Sequence, residues 1–119
     1  MKDFKKLKIW VKGMEIVKQV YQLMSEFPEV EKYGLRSQMN RAAVSIPSNI
    51  AEGSAKRSDK EYIKYLEISL GSAYELETQI LIASDASFGK GLLRESLLKE
   101  IDEEQKMIQS FIRKIEGNE

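Results

Sequence analysis

The side chains of this sequence that could do chemistry are carboxylates, amines and guanidinium groups, because the chain has no Cys and no His. Thiol nucleophiles, imidazole acid–base catalysis and Cys or His metal ligation are thereby closed together. A helical bundle can hold two metals between facing carboxylates, and Glu52, Glu75 and Glu77 are the residues to weigh for that role. The usual site, however, adds a Glu-x-x-His pair on each of two helices, so without His it cannot form. Gly89-Lys90-Gly91 lacks the preceding strand and the spacing of a phosphate-cradling loop and reads as a turn between helices. The expectation is a protein that is not an enzyme and that carries no metal or cofactor.

The cations fall into two groups. Lys2, Lys5, Lys6, Lys8 and Lys12 stand near the start, and Lys56, Arg57, Lys60 and Lys64 surround Ser58-Asp59-Lys60-Glu61. That tetrapeptide matches the capping box that opens a helix, whose free backbone donors make an anion site, with Tyr62 and Tyr65 close by for stacking. Lys56, Arg57, Lys60 and Lys64 are therefore the candidate nucleic-acid contacts. The plainer reading of such a run is a solvated face, and of the two tyrosines a place in the stripe of their helix. Lys+Arg and Asp+Glu are 19 each, unlike a typical dedicated nucleic-acid binder. Residues 1–64 nevertheless carry 13 basic and 8 acidic side chains, and residues 65–119 carry 6 and 11. Opposite halves of this kind can draw neighbouring helices or subunits together.

A third constellation is polar. Glu77 and Glu104 fall inside apolar arcs, where an unpaired charge costs several kcal/mol of desolvation. Gln38, Arg41, Ser45, Asn49 and Glu52 run along the edge of another apolar stripe at steps of three and four. Arg41 is the expected partner of the buried carboxylates, and Gln38, Arg41, Asn49, Glu52 and Glu77 form a candidate structural network across helices or subunits.

Helices must position these groups. From about Leu7 to Glu26 two apolar rows lie side by side, Leu7, Trp10, Met14, Val17, Tyr21 and Met24 beside Ile9, Ile16, Val20, Leu23 and Phe27. Together they cover about half the circumference, enough for two neighbours. Phe27-Pro28 ends this helix, because proline disfavours the α conformation in the residue before it. A second helix is expected from about Tyr33 to Ala55, with its stripe in phase on both sides of Pro47, which predicts a kink there and not a break. The third starts at the capping box and ends near Phe88-Gly89, and the fourth follows Gly91 and is capped by Gly117. Four amphipathic helices on short links bury their stripes most simply as an antiparallel up-and-down bundle.

Gln38-Met39-Asn40-Arg41-Ala42-Ala43-Val44-Ser45-Ile46-Pro47-Ser48-Asn49-Ile50-Ala51-Glu52-Gly53, with Leu7, Trp10, Tyr33-Gly34-Leu35, Arg57, Gly71-Ser72 and Glu75 around it, resembles the four-helix family named for 23S rRNA intervening sequences. The resemblance covers almost the whole chain and weakens in the fourth helix. It implies a subunit of a ring-like homopentamer with no known enzymatic activity. Similar proteins include the basic accessory subunit of diversity-generating retroelements, which binds nucleic acid and a reverse transcriptase. The chain departs from the pattern at Asn40, where a second Arg is common, and at Ser69 and Gly13, where Ala is usual.

At 119 residues, 42% of them hydrophobic and 32% charged, the chain is expected to form one domain over 1–119, with fraying at Met1–Lys5 and Gly117–Glu119. No stretch approaches the length of a membrane span and Met1 to Lys8 lacks the apolar run of a secretory signal, so the expected address is the cytoplasm. The function expected is homo-oligomeric binding or scaffolding, engaging RNA or a nucleic-acid-processing partner through a basic rim. The alternative is a protein–protein adaptor with no nucleic-acid contact, which the neutral overall charge favours.

Overall fold

The two apolar rows of the first helix have different fates, and this decides how the bundle is built. In the computed structural model, which describes residues 3–117, that helix is α1, Lys8–Met24. Ile9, Ile16, Val20 and Leu23 point into the core. The neighbouring row divides: Met14 and Tyr21 stay at the surface, 45% and 49% exposed, Leu7, Trp10 and Val17 are half-buried against the core, and Met24 is part of it. Three more helices follow: α2 Leu35–Ser54, α3 Asp59–Asp85 and α4 Gly91–Glu116. Short 3-10 turns lie at Phe4–Lys6 and Glu29–Glu31, and the described residues contain no strand.

Each helix packs on the two beside it, so that α1 lies diagonal to α3 and α2 to α4. The pairing of residues gives the sense. Tyr62 meets Phe111 and Glu77 meets Gln105, so numbers rise along α3 as they fall along α4. Ser45 against Ser72 and Gly53 against Tyr62 set the same relation between α2 and α3. The bundle is 44 Å long and little more than 20 Å across. Ile16, Leu23, Met39, Ile46, Ile50, Leu66, Leu76, Ile80, Leu97, Ile101 and Ile108 are fully buried along its axis. Each such side chain contributes about 1.5–3 kcal/mol relative to exposure.

Small residues bring α2 and α3 together. A Cβ on Gly53 would stand 2.7 Å from that of Tyr65, so only glycine permits this spacing. Ser69, buried on the facing side of α3, donates to the Ile46 carbonyl at 2.8 Å, a bond that alanine cannot make. α2 continues through Pro47 as one helix.

Two boundaries differ from expectation. α3 ends at Asp85, ahead of Phe88-Gly89, and Ser87 takes the left-handed conformation (φ 57°) expected of Gly89. The N–H groups of Ser87 and Phe88 return to the carbonyls of Ser84 and Ala83, the Schellman pattern. The early stop swings Phe88 onto Phe27, with ring centroids 5.5 Å apart. Gly89, also at positive φ, lies so close to α1 that a Cβ would meet Leu23 at 2.4 Å. Fraying near the start is likewise corrected for Asp3–Lys5: Asp3 accepts from the Lys5 N–H, and Phe4 packs edge-on against Trp10 at 5.4 Å. Met1, Lys2, Asn118 and Glu119 lie outside the described residues. Gly117 caps α4 at φ 80°, as its position after the last apolar residue predicts.

Candidate nucleic-acid interface at one end of the bundle

The start of α1, the link from α2 to α3 and the last turns of α4 meet at one end. The turn Phe4–Lys6 packs on α1 and α2, and the Tyr62 ring meets Phe111 edge-on at 5.8 Å. Lys5, Lys6 and Lys8 of the first basic group and Lys56, Arg57, Lys60 and Lys64 of the second therefore gather there, joined by Arg113 and Lys114 of α4. Residues 3–8, 52–64 and 113–116 hold nine Lys and Arg against five Asp and Glu. The opposite end, residues 24–36 and 85–95, holds four against five, so the positive charge belongs to one pole.

Ser58 caps α3 as its sequence predicts, accepting from the Glu61 N–H at 3.2 Å and donating to Glu61 Oε1 at 3.3 Å. Arg57, Lys60 and Lys64 are exposed around it. Lys56 is half-buried, its Nζ 4.9 Å from the centre of the Tyr65 ring, a cation–π contact that holds the amine at the surface. Tyr62 is buried in the core and cannot stack on a ligand, whereas Tyr65 is partly open. Between α1 and α4 a groove of about 450 Å³ has Leu7, Met107 and Phe111 in its floor and Lys6, Lys8 and Lys114 on its rim. Lys12, grouped with these lysines by sequence, is drawn away. Its ammonium pairs with Glu100 and, at 2.9 Å, with Glu103 of α4. Burial pulls its pKa down, but the two carboxylates outweigh burial and raise it. The Glu103 acid is lowered, chiefly by its hydrogen bond from Lys12.

The polar residues divide. Asn49 donates to the Ser45 carbonyl and hydroxyl at 2.9 and 2.8 Å, and the Ser45 hydroxyl meets that of Ser72 on α3 at 2.8 Å. Glu77 accepts from Gln105 of α4 at 2.8 Å, so glutamine and not arginine meets this carboxylate. Gln38, Arg41 and Glu52 are exposed. Arg41 thus has no part in burying Glu77 or Glu104 inside the subunit, because its own side chain is exposed while Ser45 and Asn49 of the same row turn towards α3. Gln79 and Gln105, both buried, carry no signal in the sequence beyond their place in the helical period.

Glu104 is the exception. Its side chain is fully buried and neither oxygen has a hydrogen-bond partner. It faces Gly13 of α1, beside Ile46 and Pro47. Burial pushes its acid up to about 8, against the opposing pull of the Lys12 charge. At neutral pH the group is an uncharged carboxylic acid inside the bundle. Among the described residues no group of three or more acidic side chains is placed to hold a metal ion, and no helix is long and apolar enough to cross a membrane.

Fold and site together define an all-α four-helix bundle with one basic pole. The sequence profile described as "23S rRNA-intervening sequence protein" matches residues 5–110, and the chain belongs to that family. A crystal structure of a protein with unknown function from the S23 ribosomal protein family of Bacteroides thetaiotaomicron VPI-5482 has the same fold. It superposes with a TM-score of 0.81 at 24% identity, covering 88% of this chain and 95% of that one. No curated protein has a sequence that matches this one.

Proposed function

We propose that this chain is a non-enzymatic binding protein that assembles with copies of itself, as a ring-like homopentamer, and holds RNA on its basic pole. The observation that carries the reading is the meeting of Lys5, Lys6 and Lys8 with Lys56, Arg57, Lys60, Lys64 and Lys114 at one end of a chain whose overall charge is zero. Self-assembly draws support from the outward row of α1. Trp10, Met14, Val17 and Tyr21 line a shallow apolar groove with Val44 and Ala51 of α2, and exposed apolar patches mark interaction sites. Contact with phosphates is electrostatic, so affinity falls with salt by a log–log slope of about −0.7 per phosphate neutralised on a single strand.

The test reverses three charges, Lys56→Glu, Arg57→Glu and Lys60→Glu, none of which supports the core. Binding to a structured RNA should vanish while the melting temperature holds. RNA binding that survives all three reversals would mean that this pole is the wrong surface. The neutral total and the apolar α1–α2 groove also favour a second reading, a protein–protein adaptor that never touches nucleic acid. It predicts assembly indifferent to RNA at every salt concentration.

A further inference from the structure

Two apolar patches on the described surface are different in kind. The first is the α1–α2 groove, about 470 Å³ in volume, with Met14, Tyr21 and Val44 at 45%, 49% and 36% exposure. The second is a stripe along α3, with Ile68, Tyr74, Leu81 and Ile82 between 44% and 52% exposed. Gly71 lies in this stripe with nothing within 4 Å of where a Cβ would stand, so the middle of the helix can be approached closely. Because α3 is diagonal to α1, the two patches open to different sides of the bundle.

Their charges are opposite as well. From Tyr65 to Gly89 the chain has Glu67, Glu75, Glu77 and Asp85 and no basic residue. The groove is flanked on α1 by Lys18, with Glu15 beyond it, and on α2 by Arg41, exposed one turn before Val44, with Glu52 at the other end.

We infer that a second copy of this chain occupies the groove: the acidic, apolar stripe of α3 on one subunit docks into the α1–α2 groove of the next, with Lys18 and Arg41 as the cations that meet its carboxylates. The inference rests on the self-assembly proposed above. It adds that the contact joins two unlike surfaces, which is the condition for a closed ring or an open filament and excludes a two-fold dimer through either patch alone. Arg41 then finds across the interface the carboxylate partner that it lacks within its own subunit.

The absence of native cysteine makes the test clean. Met14→Cys and Ile82→Cys chains are prepared separately, then mixed by joint unfolding and refolding, and treated with a short bismaleimide. Cross-linked dimers should form in the mixture and contain one chain of each kind, while each variant alone yields none. Cross-linking of Met14→Cys chains with one another, or none in the mixture although the wild type assembles, overturns the inference and leaves self-assembly standing. A monomeric wild type overturns both. A second pair guards against poorly placed cysteines: Met14→Glu with Val44→Glu, and Ile68→Arg with Ile82→Arg. Each should be monomeric and folded alone, and the two should form a two-chain complex when mixed. Assembly of the α3 variant at wild-type mass would place the contact elsewhere.

Discussion

Glu104 packs inside the bundle directly against Gly13: a Cβ at Gly13 would stand 3.1 Å from the carboxyl Oε2 of Glu104. The two positions are thus one packing unit between α1 and α4. Glycine within a helix costs about 1 kcal/mol relative to alanine, so Gly13→Ala on its own removes that cost and adds a clash. We expect a net loss of about 1 kcal/mol in the native background. In Glu104→Ala chains the same change should turn stabilising by a similar amount, because the clash is gone. Urea unfolding of the four chains gives the cycle, and an effect of the same sign in both backgrounds contradicts the pairing.

The same carboxyl sets a pH dependence. Its ordinary value is 4.5 and burial pushes it up to about 8, so the unfolded chain gives up this proton earlier than the folded one. Its contribution is fully present below about pH 4.5 and is lost as pH rises towards 8, at about 1.4 kcal/mol per pH unit, after which it levels off. Glu104→Gln should remove this slope. The check is the difference in unfolding free energy between the two proteins from pH 5 to 8, and parallel curves would contradict a buried acid.

Gly53→Ala should cost roughly 1–3 kcal/mol, since the new methyl meets Tyr65 Cβ at 2.7 Å and neither helix backbone can yield. Thermal melting reads it directly. An unchanged midpoint would mean that α2 and α3 can move apart freely.

Arg41→Met should leave the melting of the separated subunit within about 0.5 kcal/mol of the wild type, as expected for an exposed side chain without an intramolecular partner. Assembly should weaken. A large loss of subunit stability would restore Arg41 to a network within the chain.

Much of this could be read from residue types and spacing. The apolar periods gave four helices with ends within a few residues, and Ser58 and Gly117 cap where their positions predict. What escaped is instructive. The sequence shows two apolar rows on α1 but not which of them faces inward, because that depends on where α2 and α4 settle. Gly89 looks like the cap of α3, yet it is needed for close approach to Leu23, and Ser87 takes the strained conformation in its place. Glu104 announces itself as a buried carboxyl, but charge matching suggested Arg41 as its partner. Arg41 itself is exposed, and among the described residues the charge acting on the acid is that of Lys12, already engaged by Glu100 and Glu103. The basic pole was half legible: two clusters were visible along the chain, and only the fold joins them to each other and to Lys114.

Light scattering coupled to size-exclusion chromatography, with and without a structured RNA at low and at physiological salt, tests the central claim most directly. The account predicts a multimer whose mass rises with RNA at low salt and rises less at physiological salt. A stable monomer, or a multimer whose mass ignores RNA even at low salt, would contradict it.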